Sequence, residues 1–211
     1  MLKQQNWCSG CGNYVIFSVL KELIKELDYN LKDVVMITGC GCHGKMVYYY
    51  DWYGVNYIHG RAIPFALGVK KNNPNLKVIV CVGDGDTYSI GLSHFLAALE
   101  QDIDINILVH NNGRYALTKG QLTPVAHNHK NPLNIMKLAY ASNCQFLART
   151  TTQNKGDLKS IIKQAFEFNS LSFIDIIQLC VNYNPQIFEN VRNEPDLEDP
   201  MSLGVFRTKI E

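Results

Sequence analysis

Two short apolar runs, residues 78–82 and 105–109, frame the most strongly patterned part of the chain. Both are rich in β-branched residues, neither alternates with polar ones, and both are bounded by polar residues or glycine. That is the pattern of strands buried on both faces of a parallel sheet. Between them, within residues 90–100, Leu92, Phe95, Leu96 and Leu99 recur at helical spacing. The first run breaks into Gly83-Asp84-Gly85-Asp86 and the second ends in Asn111-Asn112. Ligands of open parallel sheets sit beyond the carboxyl ends of the strands. Asp84 and Asn112 are therefore expected at one edge.

The same reading extends along the rest of the chain. Ile16, Val19, Leu20, Leu23, Ile24 and Leu27 form one apolar stripe opposite Lys21, Glu22, Lys25 and Glu26, which predicts a packing helix. Residues 34–37 predict a strand that ends in Gly39-Cys40-Gly41-Cys42-His43-Gly44-Lys45. After the aromatic run Tyr48-Tyr49-Tyr50-Asp51-Trp52-Tyr53, read as wall or interface, residues 55–58 predict another strand. It delivers His59-Gly60-Arg61 to a helix carrying Ala62, Phe65, Ala66 and Val69, in whose first turn Pro64 is tolerated. Residues 122–131, with His127 and His129, read as a solvated loop. A helix over 132–141, a strand over 144–148, a helix capped by Asp157 and running to Asn169, and a last strand over 173–179 complete the pattern. The predicted fold is α/β, a mostly parallel central sheet with helices on both faces. Residues 1–183 are expected as a single domain. Residues 184–211, acidic, proline-containing and without periodicity, are expected as a C-terminal extended arm or tail.

Composition narrows the function. The chain has 211 residues, enough for one sizeable core, and 46% of them are apolar. A net charge of +1 with no run of one sign argues against nucleic acid or an acidic membrane as partner. No stretch is long and apolar enough to span a bilayer, and the first residues lack an apolar signal region, so a cytoplasmic location is the default expectation. Seven cysteines cannot all pair within one chain, and nothing suggests an oxidising compartment. Cys81 and Cys144 lie at strands and read as small buried hydrophobes.

The remaining residues carry the chemistry. Gly83 and Gly85 allow close approach of the backbone to an anion, whose oxygens bare N–H groups can hold. Asp84 and Asn112 are hard oxygen ligands suited to Mg²⁺ shared with a phosphate. Gly-Asp-Gly followed by asparagine at the next strand end resembles the thiamine-diphosphate signature. His59 and Arg61 fall at a strand-to-helix junction, where a helix N-terminus favours anions. Cys8 and Cys11 flank a glycine turn, and Cys42 and Cys180 each end a predicted strand. Four scattered thiolates suit an iron–sulfur cluster or zinc, and spacing does not choose between them.

Six motifs in order point to a family. They are Trp7-Cys-Ser-Gly-Cys-Gly12, Gly39-Cys-Gly-Cys42, His59-Gly-Arg61, Gly83-Asp-Gly-Asp86, Asn111-Asn112 and Leu117-Thr-Lys-Gly-Gln121. The chain resembles the β subunit of 2-oxoacid:ferredoxin oxidoreductases, the pyruvate or 2-oxoglutarate synthase family. The resemblance implies a [4Fe–4S] cluster on Cys8, Cys11, Cys42 and Cys180, and Mg²⁺ on Asp84, Asn112 and the backbone carbonyl of Arg114. It implies thiamine diphosphate among Cys40, Gly41, Cys42, His43, His59, Gly60, Arg61, Gly83, Gly85, Asp86, Ala116 and Leu117, with His59 and Lys119 as catalytic residues. Lys119 is expected near the substrate carboxylate or coenzyme A. The implied reaction is oxidative decarboxylation of a 2-oxoacid to acyl-CoA, with electrons passing through the cluster to ferredoxin. The implied partner is an α subunit that supplies the glutamate activating the aminopyrimidine.

The chain departs from that family at Ser9, where proline is usual, and at Cys40, where isoleucine is usual. It departs again in the loop after Gln121, and it is shorter than family members generally are. Two other readings stand beside the first. One is a non-redox thiamine-dependent decarboxylase or lyase subunit whose cysteines bind zinc or nothing. The other is a non-catalytic assembly subunit that retains the fold.

Overall fold

The computed structural model describes residues 4–101, 103–189 and 191–208. Its centre is a seven-stranded sheet. In chain order the strands are β1 (Val34–Thr38), β2 (Tyr53–Asn56), β3 (Lys77–Gly83), β4 (Asn106–Asn111), the short pair β5 (Arg114–Tyr115) and β6 (Gln121–Leu122), β7 (Phe146–Thr151), β8 (Ser172–Ile177) and β9 (Gly204–Thr208). The spatial order of the main sheet is β2-β1-β3-β4-β8-β7-β9, and β5 pairs with β6 apart from it. Every neighbour pair from β2 through β7 is parallel; β9 runs antiparallel to β7.

The helices are α1 (Asn13–Glu26), α2 (Ala62–Asn72), α3 (Leu92–Leu99), α4 (Ile135–Ala141) and α5 (Lys155–Glu167). They divide between two cores. Ile79 and Cys81 face one core with Ile16, Leu20 and Leu23 of α1 and Ile161 and Ile162 of α5. Val78, Val80 and Val82 face the other with Ala66 of α2, Phe95 of α3 and Met136 of α4. All seven residues of β3 are buried, so the run without alternation is a strand covered on both faces. The stripe on α1 buries Ile16, Phe17, Val19, Leu20, Leu23 and Ile24, each worth about 2 kcal/mol of apolar burial. The fold is thus the expected α/β sheet with helices on both faces.

Several elements differ in detail. The second strand is Tyr53–Asn56, earlier than residues 55–58, because it must register with Val35 to Thr38 of β1. The helix expected from residue 90 begins at Leu92, after a π-helical turn over Asp86–Ile90. Asn154 caps α5, its side chain accepting from Asp157 N–H at 3.1 Å, while Asp157 lies in the first turn and accepts from the Thr150 hydroxyl. The helix ends at Glu167, before Asn169. Residues 184–189 and 191–208 lie along the domain and contribute β9; residues 190 and 209–211 of the expected arm lie outside the described residues. In the aromatic run, Tyr49 and Trp52 are buried against Trp7 and Phe17, while Tyr48 and Tyr53 are exposed. Cys81 and Cys144 are buried, and burial pushes the Cys144 thiol up to about 12. Among the described residues, no helix is long and apolar enough to cross a membrane.

Candidate functional site: two adjoining clefts at the sheet edge

The carboxyl ends of β1, β3 and β4 open onto a cleft of about 580 Å³. It is lined by Cys40, Gly41, Cys42 and His43 after β1, by His59 beyond β2, and by Gly83, Asp84, Gly85 and Asp86 at the end of β3. Asn112, Arg114, Ala116 and Leu117 follow β4 and complete it, with Asn13, His110, Tyr115, Thr118 and Gln178. A second cleft, of about 730 Å³, contains Cys8, Cys11, Cys42 and Cys180 in its wall, together with Trp7, Lys45 and Asn182. Asn13, Cys42, Asn112, Ala116, Leu117 and Gln178 line both. Cysteines from three separate parts of the chain therefore line one cleft beside the glycine-aspartate turn.

Three residues singled out by sequence lie outside both walls. Arg61 and Lys119 are exposed, and Gly60 lies behind Asp86. Lys119 sits in the left-handed region at φ 75. Gly60, at φ 72, is needed for close packing as well as for its backbone angle: a Cβ there would lie 2.9 Å from Gly91 N. His127 is half-buried and His129 exposed, away from the two clefts.

Steric fit explains the small residues. A Cβ on Gly41 or Gly83 would come within 2.6 and 2.7 Å of the His43 ring, so the imidazole is seated between the two turns. A Cβ on Gly85 would strike the Tyr115 ring at 2.2 Å. Asp86 accepts from His59 Nδ1 and from Gly60 N–H through Oδ1, fixing His59 at the wall. Its Oδ2 is buried without a hydrogen-bond partner, 4.0 Å from His43 Nε2, which is likewise unpartnered.

The electrostatics follow from burial. Asp84 is 2% exposed; burial pushes its carboxyl up to about 7, against hydrogen bonds from Thr123 and from its own and the Gly85 backbone. Burial takes His43 down to about 4 and holds His110 well below the usual imidazole range. Both rings are therefore neutral at pH 7. Their centroids stand 5.6 Å apart, and His110 Nδ1 donates to Asn13 Oδ1 at 2.8 Å. Burial also raises the Cys11 and Cys42 thiols, with the neighbouring cysteines adding to the effect.

Sequence reasoning passed over Asn13, His110, Tyr115, Thr123 and Gln178. Thr123 donates to Asp84 Oδ2 at 2.6 Å. Asn112 Oδ1 accepts from Arg114 N–H at 2.8 Å, which closes the turn after β4. Asn184, from the C-terminal segment, donates to the Asn112 carbonyl at 2.9 Å, and its own N–H donates to Cys180 O at 3.0 Å. His110, the last histidine before Asn111-Asn112, was the one omission with a readable signal, a polar residue inside an apolar strand end.

Residues 39–176 match the family model described as "Thiamine pyrophosphate enzyme, C-terminal TPP binding domain", so a thiamine-diphosphate-binding domain is the class that the fold and cleft define. The chain is 41% identical over 192 residues to the 2-oxoacid:ferredoxin oxidoreductase subunit beta of Saccharolobus solfataricus, covering 85% of this chain and 63% of that protein. It is 30% identical over 227 residues to the 2-oxoglutarate synthase subunit KorB of Archaeoglobus fulgidus, covering 97% of this chain and 85% of that one. The chain belongs to the β-subunit family of the 2-oxoacid:ferredoxin oxidoreductases. It spans 63% of the Saccharolobus relative and 54% of the Mycobacterium tuberculosis 2-oxoglutarate oxidoreductase subunit KorB. Its fold is similar to that of a 2-oxoglutarate:ferredoxin oxidoreductase from Magnetococcus marinus solved with 2-oxoglutarate, coenzyme A and succinyl-CoA bound. That likeness has a TM-score of 0.91 at 24% identity, over 100% of this chain and 84% of that one.

Proposed function

We propose that this chain is the thiamine-binding β subunit of an enzyme that oxidatively decarboxylates a 2-oxoacid to acyl-CoA and CO₂, passing electrons through a [4Fe–4S] cluster to ferredoxin. The observation that carries the reading is the shared wall of the two clefts. Cys42 stands in it between the turn carrying Asp84 and the other three cysteines. The printed names of the relatives supply the substrate class and the ferredoxin. The Magnetococcus complex supports coenzyme A as acyl acceptor.

The residues present suit the cofactors. Asp84, Asn112 and the backbone carbonyl of Arg114 would hold Mg²⁺, and a cation there would keep the buried Asp84 ionised. Cys40, Gly41, Gly83, Gly85, Ala116 and Leu117 would form the walls around thiamine diphosphate, with Gly60 and Arg61 behind and beside them. The unpartnered buried nitrogens of His43 and His110 leave polar atoms for a ligand to satisfy. Among the described residues no group of three or more His, Cys, Asp or Glu is disposed to hold a metal ion. All four cysteines instead line one cleft, which suits a cluster whose iron corners each take one thiolate.

When bound, thiamine diphosphate supplies a nucleophilic carbon and an electron sink for decarboxylation. This chain's own groups orient and isolate it. Asp86 locks His59 at the cleft wall, where His59 can hold or release a proton. Lys119, exposed on the loop after β5, would meet the substrate carboxylate or coenzyme A. Among the described residues no glutamate lines the cleft, and both its aspartates are engaged, Asp84 by Thr123 and Asp86 by His59. The glutamate that activates the pyrimidine would then come from an α subunit, and this chain would be half of an active site. The reading places the enzyme in the cytoplasm, with ferredoxin as a soluble acceptor.

Anaerobic purification tests the reading. The protein should be brown, with about four irons per chain, as one four-iron cluster requires. Asp84→Ala should abolish Mg²⁺-dependent thiamine-diphosphate binding, and turnover should require an added α subunit. Colourless protein with stoichiometric zinc rejects the redox reading in favour of a non-redox thiamine enzyme.

A further inference from the structure

Two cysteine sulfurs receive side-chain N–H donors from residues that flank Cys180. Gln178 Nε2 lies 3.5 Å from Cys11 Sγ, and Asn182 Nδ2 lies 3.1 Å from Cys8 Sγ. The backbone N–H of Asn13, the first residue of α1, also points to the Cys11 sulfur. A thiolate has no proton to offer, so in each side-chain pair the amide nitrogen faces the sulfur.

The two donors differ in setting. Gln178 is 2% exposed. Its backbone N–H is held by Asn111 O at 2.8 Å, and its Cγ lies 2.6 Å from where a Cβ on Gly12 would be. The side chain therefore has one place to go, between the glycine turn and the thiol, in the wall common to both clefts. Asn182 is exposed at the outer rim.

We propose that Gln178 and Asn182 set the reduction potential of the iron–sulfur cluster by donating hydrogen bonds to the Cys11 and Cys8 sulfurs. The inference rests on the reading that Cys8, Cys11, Cys42 and Cys180 hold such a cluster. Reduction adds one electron, hence one negative charge, to the cluster and its thiolates; no bond is made or broken and no proton is taken up. N–H dipoles aimed at the sulfurs stabilise that added charge and raise the potential. Gln178, away from water, acts in a lower dielectric than Asn182 and has the larger effect. Both are positioning residues for electron transfer, acting through the cysteine sulfurs.

The test uses the full chain purified without oxygen, together with any partner subunit that copurifies. Iron content is measured first. The midpoint potential is then read by a dithionite titration followed by electron paramagnetic resonance. Gln178→Met keeps the volume and removes the donor; Asn182→Leu does the same at the rim. Gln178→Met should lower the reduced-to-oxidised ratio at fixed potential roughly tenfold, a shift of about 59 mV for a one-electron couple. Asn182→Leu should shift it the same way by less. Iron-loaded variants with an unchanged or raised midpoint overturn the inference. If Gln178→Met does not retain iron, the exposed Asn182→Leu variant decides alone: a lowered midpoint supports the proposal and an unchanged one overturns it. Wild-type chain without iron overturns the cluster assignment itself, a result separate from an unshifted potential.

Discussion

The hydroxyl of Thr123 donates to Asp84 Oδ2 across 2.6 Å, joining the loop after β6 to the turn after β3. Both residues are buried, so no water replaces the bond if it is removed. Thr123→Val keeps the shape and deletes the donor. A hydrogen bond to a charged group is worth about 1.5–3 kcal/mol. The Mg²⁺-dependent affinity for thiamine diphosphate should therefore fall roughly 10- to 100-fold by titration calorimetry. Unchanged affinity would show that Thr123 does not orient Asp84.

Three buried groups give the cofactor-free chain opposed pH dependences. His43, held down to about 4, and His110, held lower than usual, take up protons in the unfolded chain but not in the folded one. Their contribution is complete above about pH 6.5 and is lost as pH falls toward 4; for His43 it is on the order of 3 kcal/mol. Asp84, pushed up to about 7, keeps its proton when folded and releases it when unfolded, so stability falls as pH rises from about 4 to 7. In Asp84→Asn the falling part disappears. Its urea midpoint should climb steadily between pH 4.5 and 7, where the wild-type curve is flatter. Coincident profiles would reject this assignment of the opposing term.

Asp175 in β8 accepts from Tyr88 OH at 2.6 Å, from Asn111 Nδ2 at 3.1 Å and from Arg149 Nε at 2.6 Å, and Arg149 also reaches the Pro200 carbonyl. Asp175→Ala would leave the Arg149 guanidinium, 3% exposed, without its counter-charge. Removing one partner of a buried pair costs about 3–5 kcal/mol. A large drop in the thermal midpoint is expected, with a smaller one for Asp175→Asn. A loss below about 1 kcal/mol would mean that water reaches Arg149.

Asn184 bonds to the Asn112 carbonyl with its side chain and to the Cys180 carbonyl with its backbone. Asn184→Leu removes the donor to the carbonyl of the half-buried Asn112, at a cost of about 1 kcal/mol. Because Asn112 lines both clefts, iron retention and thiamine-diphosphate affinity should weaken together. Loss of one without the other in parallel iron and calorimetric assays would separate the clefts functionally.

The strand ends were legible in the sequence because β-branched runs and glycine breaks are local signals. Residues 34–37 and 78–82 fall within β1 and β3, residues 106–109 of the second run fall within β4, and the turns after them line the cleft. Other features depend on contacts that no window of sequence contains. β9 is five residues in an acidic, proline-bearing stretch, and it becomes a strand by pairing with β7. Asn154 and Asp157 have similar capping chemistry; the position of β7 decided between them. Thr123, Asn13 and Gln178 look like ordinary polar residues, and their roles come from partners far along the chain. Arg61, at a strand-to-helix junction, and Lys119, in a motif, are both exposed, and neither signal says which side of a turn a side chain leaves from.

The bond from Gly12 N–H to Leu179 O, 3.0 Å long, joins the chain's first turn to the end of its innermost late strand. Cys8 and Cys11 thus stand in one cleft with Cys180 where the turn before α1 meets the segment that follows β8. The cysteine cleft is thus a proofreading gauge for the chain: whatever needs all four thiols can be loaded only where the N-terminal turn has docked beside the ends of β1 and β8.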